Sequence, residues 1–246
     1  MLIDLHAHSS GISQCCKVTA RQVLEEAKKI GLDGIVLTNH YQKSYIQGGD
    51  LPDFVRRYMD EIRYTQALGD ELGMRVFWGI EVTSQVYDRI HLEIYGVEED
   101  FLEKYPELYD MTQEELWKTV RNHGGVLIHA HPFRRSGAPL DPRWMDGVEV
   151  NCHPKYQSTH KEELFAFARA HGLTVTCGGD YHADTYRPVC GTFLPDSITD
   201  SRELGRFLAE AEQIEMLVHE INAAAPERVT FRKQADPNAA IVTAEA

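Results

Sequence analysis

Short apolar runs alternating with helix-patterned polar stretches set the rhythm of this chain. The runs at 2–5, 34–38, 75–80, 92–97, 125–128, 147–150 and 173–177 are rich in aliphatic and β-branched residues and read as seven buried strands. Helix boundaries fall between many of them. Thr19 and Gln22 form a capping box ahead of Val23-Leu24 and Ala27, with Gly31 past the last turn. Thr112 with Glu115 repeats the signal and closes at Gly124, and Asp200 with Glu203 precedes Leu204 and Phe207-Leu208. A longer helix is predicted over 53–72, stopped by Gly73. Strands alternating with helices imply parallel pairing through right-handed crossovers. Seven strands, with no glycine-rich phosphate loop after the first, favour a closed or nearly closed α/β barrel over an open nucleotide-binding sheet. Residues 1–221 are expected to form that single barrel domain. Residues 222–246 are expected to be a C-terminal extension, its final dozen frayed or disordered.

The ends of these runs carry the chemistry. Asp4-Leu5-His6-Ala7-His8, Thr38-Asn39-His40, Gly79-Ile80-Glu81, His129-Ala130-His131-Pro132 and Gly179-Asp180-Tyr181-His182 each bring an imidazole or a carboxylate just after an apolar run. Residues two apart on a strand share a face, so His6 and His8 can reach one point at a barrel mouth, as can Asp180 and His182. Gly178-Gly179 permits a close backbone approach beside them. A carboxylate directly after Val-Phe-Trp-Gly-Ile is costly to bury without a cation or a donor, which makes Glu81 either a ligand or the partner of an arginine such as Arg75 or Arg89. Asp4 is placed to hold an imidazole or to cap a turn. Glu149 and Asn151 alternate on the sixth strand, as site residues or as bonds to loop amides. His91 precedes its run, so it sits at the opposite strand end unless the preceding segment folds back over the mouth. His123, His160, His171 and His219 lie in helical contexts and receive only surface or dipole roles.

Composition narrows the partners. With 25 basic against 38 acidic residues, the chain lacks the cationic excess that gives sequence-independent affinity for nucleic acid, so no stable nucleic-acid complex is expected. A small anionic substrate is still accessible, because bound divalent cations reverse the local sign. No apolar run approaches the ~18 residues of a membrane span, and Met1-Leu2-Ile3 runs straight into the first strand, which predicts a soluble, cytoplasmic protein without membrane association. Five cysteines without small-scaffold spacing do not resemble a disulfide framework, and Cys152, Cys177 and Cys190 read as reduced.

In order and wording the motifs D-L-H-A-H, T-N-H, G-I-E, H-A-H-P and G-D-Y-H resemble the PHP family, named for polymerase-associated and histidinol-phosphatase domains. The resemblance covers roughly residues 1–220. It implies a distorted seven-stranded TIM-like barrel that binds two or three divalent metals, and many family members hydrolyse phosphate esters. Carried onto this sequence, it implies His6, His8, Glu81 and Asp180 at one metal, Glu81 bridging to a second held by His91 and His129, and a third held by His40 and His182. The family usually adds a His or Asp a few residues after H-x-H, where this chain has Ser13-Gln14-Cys15-Cys16, and Thr38-Asn39-His40 stands for the commoner T-D-H. A thiolate from Cys15 or Cys16 would favour zinc or iron over manganese, the alternative being small thiols packed under the barrel.

The function expected is therefore metal-dependent hydrolysis of a small phosphorylated metabolite or nucleotide by activated water. Arg134, Arg135, Arg187 and Lys17 are candidates for holding phosphate, and His131 or His182 for protonating the leaving alkoxide. Specificity would come from the loops at 41–51, 133–141 and 181–187, where Tyr41, Tyr45, Phe133 and Tyr186 either line a pocket or pack the loops. Two other readings compete. One is an amidohydrolase-like C–N or C–O hydrolase, which typically uses a carbamylated lysine that no strand end here supplies. The other is a non-catalytic, metal-binding regulatory domain.

Overall fold

All seven expected runs are strands of one sheet in the computed structural model, which describes residues 1–134, 137–183 and 188–233. They are β1 (Leu2–Ala7), β2 (Gly34–Leu37), β4 (Arg75–Thr83), β5 (His91–Tyr95), β6 (Val126–His129), β7 (Gly147–Asn151) and β8 (Thr174–Gly178), hydrogen-bonded in that order. The two-residue β3 (His40–Tyr41) pairs with the end of β4. Just beyond β8 the chain returns to β1. The Asp180 N–H donates to the His6 carbonyl at 2.8 Å, and Ala7 bridges Tyr181 in parallel. The sheet is thus the expected distorted barrel, nearly closed.

Two features depart from an all-parallel barrel. β5 runs antiparallel to both β4 and β6. The physical reason is length, because only residues 84–90 join β4 to β5, fewer than the dozen or so a parallel crossover needs, so the pair must be a hairpin. The start of β5 consequently lies at the same rim as the end of β4, with Thr83 opposite His91. The sheet also continues past β1 through antiparallel β9 (Gly191–Phe193), β10 (Gln213–Val218) and β11 (Glu227–Arg232). Within the segment expected as an extension, β11 pairs along its whole length with β10 and buries Phe231. The final residues, 234–246, lie outside the described residues.

Local signals explain the helices. α1 (Ala20–Lys29) and α4 (Gln113–Asn122) carry both bonds of their capping boxes. α2 (Leu51–Leu72) starts two residues ahead of the expectation, because Asp50 accepts from the Asp53 N–H and Pro52 suits the first turn. It ends at Gly73 in the left-handed region. In α6 (Ser201–Glu210) the Asp200 side chain caps as expected, but the Glu203 carboxylate reaches back to the Thr199 N–H at 2.7 Å. α3 (Phe101–Lys104) is a single turn, and α5 (Lys161–His171) starts after His160 without a side-chain cap. Among the described residues no helix is long and apolar enough to cross a membrane.

Backbone meets backbone where α6 covers the lower end of β5. A Cβ on Gly205 would lie 2.5 Å from the Gly96 Cα. Gly205→Ala is therefore expected to cost about 1–3 kcal/mol through overpacking. A thermal melt would show the loss, while ions bound at the opposite rim should be unaffected.

Candidate metal centre

The upper rim gathers imidazoles and carboxylates from six strands or strand ends, all with little or no exposure. Glu81 stands at the middle. Its carboxylate lies 3.3 Å from His6 Nε2, 3.5 Å from His8 Nε2, 2.5 Å from His40 Nδ1, 2.8 Å from His91 Nδ1 and 3.2 Å from His131 Nε2. Asp180 Oδ1 lies 3.1 Å from His8 Nε2, 3.4 Å from His6 Nε2 and 3.1 Å from His182 Nδ1. His91 belongs to this rim because β5 runs downward from it.

Hydrogen bonds outside the cluster fix which ring nitrogens point inward. Glu149 accepts from His6 Nδ1 at 2.8 Å, from the His131 N–H at 3.0 Å and from Asn151 Nδ2 at 3.1 Å. His6 therefore turns Nε2 into the cluster. Asn39 Oδ1 accepts from the Ser9 N–H and from Ser13 Oγ, which leaves the Ser13 oxygen to accept from His8 Nδ1 at 3.2 Å. His8 also turns Nε2 inward, 3.0 Å from His6 Nε2. His182 Nδ1 donates to the Asp180 carbonyl at 2.8 Å, so its Nε2 faces His40 Nε2 at 3.3 Å. Nitrogen lone pairs opposed at such distances, with carboxylates alongside, require a proton or a cation between them. The buried His40 Nδ1 and Glu81 Oε2 face each other at 2.5 Å and find no other hydrogen-bond partner. Candidate ligand triads are His6/His8/Asp180, His6/Glu81/His131, His40/Glu81/His91 and His8/His40/His182. The residues fit divalent cations.

Backbone strain marks two of these positions. His131 and Asp180 have φ of 35° and 49°, in the left-handed region that costs most residues energy. Gly178 lets β8 touch β1, since a Cβ there would fall 2.5 Å from the His6 Cβ. Asp4 caps that turn, accepting from the Gly179 and His6 N–H groups.

Several expectations change. Of the pair His129 and His131, the structure brings His131 to Glu81, whereas His129 Nδ1 accepts from the Leu140 N–H at 3.1 Å. The reason is that the residue ending β6 turns toward the following loop, and the strained φ of His131 swings its ring over the rim. His131 and His182, the two candidates for the leaving-group acid, both point into the cluster. Lys17 reaches the site only through its backbone, whose N–H donates to the His182 carbonyl, and its side chain is exposed. Arg135, Arg187 and Tyr186 lie outside the described residues. Tyr41 is core, its hydroxyl donating to the Pro106 carbonyl. Glu93 went unnoticed: it is fully buried on β5, 3.0 Å from His6 Nδ1, and a lone carboxylate within the run Leu92–Val97 was the available signal.

Arg134 is an arginine that the structure places against the rim. Its guanidinium is hydrogen-bonded to Asp180 and stacks on Tyr156 with 3.8 Å to the ring centroid, and its buried Nε has no partner. Beside it opens a cavity of about 260 Å³ lined by Phe133, Asn151, Lys155, Tyr156 and His160 among others.

Electrostatics of the metal-free cluster follow from this packing. Against burial, Glu149, Glu93, Glu81 and Asp180 push His6 well above its ordinary value. Against burial likewise, Glu81 and Cys15 raise His40 to about 9, and Asp180 and Cys15 raise His182 to about 10. Burial and the neighbouring cationic His182 and His40 lower His8 well below 6.5. Burial pushes Glu93 up to about 8, in spite of His6. Glu81 and Asp180 stay well below the usual carboxylate range although buried, through His40 and His91 for the first and Arg134 and His6 for the second. Protons therefore occupy at neutral pH the places a cation would take. Stability from the raised histidines is fully present below 6.5 and lost as pH rises through about 9 and about 10. Loading the metal-free protein at pH 7.5 is expected to release protons, with apparent affinity rising up to about pH 10. Calorimetry in buffers of different ionisation enthalpy measures the release, and none would contradict this protonation scheme.

No family model matches the chain, and no curated protein matches it in sequence. Solved structures do match in fold. A two-domain protein from Bacteroides vulgatus ATCC 8482, containing a predicted PHP-like metal-dependent phosphoesterase, is 18% identical with a TM-score of 0.64, over 89% of this chain and 65% of that one. This chain thus spans about two thirds of that protein's length. An inferred metal-dependent phosphoesterase from Bifidobacterium adolescentis ATCC 15703 is 17% identical with a TM-score of 0.53, over 84% of this chain and 94% of its own. PsfC from Pseudomonas syringae PB-5123 is 16% identical with a TM-score of 0.56, over 94% of this chain and 91% of its own.

Proposed function

We propose that this chain, which shares its barrel with PHP-like phosphoesterases, is a metal-dependent phosphoesterase. It would cleave a P–O bond of a small phosphorylated molecule by attack of water at a centre of two or three divalent cations. The observation that carries the reading is the convergence of His6, His8, His40 and His182 ring nitrogens on one another and on Glu81 and Asp180. Cations held there would lower the pKa of water and draw charge from the phosphoryl oxygens.

The side chains divide the remaining work. Glu149 and Ser13 orient His6 and His8. Arg134 lines the cavity and would offer its guanidinium to a phosphoryl oxygen, while Asp180 and Tyr156 hold its plane. The cavity beyond it would take the alcohol part of the substrate. Burial favours neutral imidazole at His131, lowered further by Arg134, in keeping with a ligand rather than an acid.

Elemental analysis of protein purified without chelator, with a screen of sugar phosphates, nucleotides and histidinol phosphate, tests the proposal. Two or three metals per chain with phosphate release supports it. Metal without turnover of any ester would move the assignment to a C–N or C–O hydrolase or to a regulatory domain. Arg134→Ala is expected to raise KM by roughly 10- to 100-fold, the worth of a charge-assisted hydrogen bond, with metal content unchanged. Arg134→Lys should not restore it, since an ammonium cannot keep the planar stack and fork.

A further inference from the structure

The adjacent cysteines after β1 part company. Cys16 is buried with α1, its thiol donating to the Val18 carbonyl at 3.5 Å. Cys15 faces the rim, where its thiol accepts from the Tyr45 hydroxyl at 3.5 Å and lies near enough to His182 and His40 to interact with both. The turn carrying it is pinned on both sides. Ser13 Oγ accepts from the His40 N–H at 3.0 Å, and the Lys17 N–H donates to the His182 carbonyl at 2.9 Å. Cys15 is thus held through the backbones of the two residues whose rings it lies beside.

Those rings oppose Nε2 to Nε2 at 3.3 Å. Two nitrogens each about 2.0–2.1 Å from a tetrahedral ion lie roughly 3.3–3.4 Å apart. A thiol beside both rings would complete a nitrogen and sulfur donor set, whereas Glu81 and Asp180 give the inner positions oxygen. We propose that Cys15 binds as a thiolate to a cation shared with His40 and His182, so that this outer position selects a thiophilic ion, zinc or iron(II), over manganese or magnesium. The inference rests on the reading of the cluster as a metal centre. The protons held among the Cys15 sulfur and the His40 and His182 rings pass to solvent as the bonds to the metal form, and no redox change is involved.

Cobalt(II) titration of the metal-free full chain, followed by absorption, tests it. Expected are a near-ultraviolet sulfur-to-cobalt charge-transfer band together with visible d–d bands. In Cys15→Ser the charge-transfer band should vanish while the d–d bands of the remaining ions persist. Cys15→Asp should regain the lost equivalent of cobalt without the band, and should shift competition at that position toward manganese. Cobalt bound by the unaltered protein without a charge-transfer band would overturn the proposal and leave the metal centre standing. A band that survives in Cys15→Ser would assign the sulfur elsewhere and overturn it as well. Failure to bind any cobalt would defeat the metal-centre reading itself.

Discussion

Glu81→Gln is expected to abolish turnover, by roughly three orders of magnitude or more, because it removes the charge shared by the inner ion positions. Glu81 lies within 3.5 Å of five imidazoles, a density of contacts no other acid in the chain matches among the described residues. Glutamine keeps the shape and places an amide N–H₂ where a lone pair is needed. Metal content by elemental analysis should fall with activity. Retention of both metal and phosphate release in this variant would show that Glu81 is a structural acid and that the ligand scheme is wrong.

Asp180 has the second largest expected effect, for two separable reasons. Its carboxylate faces His6, His8 and His182, and it also neutralises the buried Arg134 guanidinium. Asp180→Ala should lose metal and activity, and in addition destabilise the metal-free protein by about 3–5 kcal/mol through the unpaired buried cation. Ala is also poorly suited to φ of 49°, where Asp and Asn are tolerated. Asp180→Asn should therefore lose metal equally but unfold about 1–2 kcal/mol later than the Ala variant. Denaturation of both metal-free variants provides the comparison. Equal stabilities would remove the backbone from the explanation, and unchanged turnover in either would refute the ligand role.

The barrel was legible because each of its strands is an apolar run of ordinary length, and period and burial agree in such runs. Strand direction was less so. The hairpin at 84–90 follows from loop length alone, and that constraint puts His91 on the rim with Glu81 independently of the family resemblance. β9, β10 and β11 escaped notice because three residues make no pattern and because β10 buries Ile214, Met216 and Val218 in a weak alternation with polar neighbours. In the site, H-x-H spacing announced both members of each pair without saying which would turn inward. For His6 and His8 both do. For His129 and His131 the positive φ of the second decides, and a dihedral leaves no trace in composition. Asn39 looked like a departure from a motif, yet its amide sets the Ser13 hydroxyl, which in turn sets the ring of His8.

The cavity next to Arg134 is built from the segment after β6 and from the end of β7 onward, residues 131–134 and 149–164 among them, whereas most of the inward-facing acids and imidazoles come from β1, β3, β4, β5 and the residues just after β1 and β8. Recognition of the alcohol and the cleavage machinery are thus drawn from different stretches of polypeptide. Grafting new loops at 153–160 offers a route to altered selectivity that leaves the reactive end of the barrel intact.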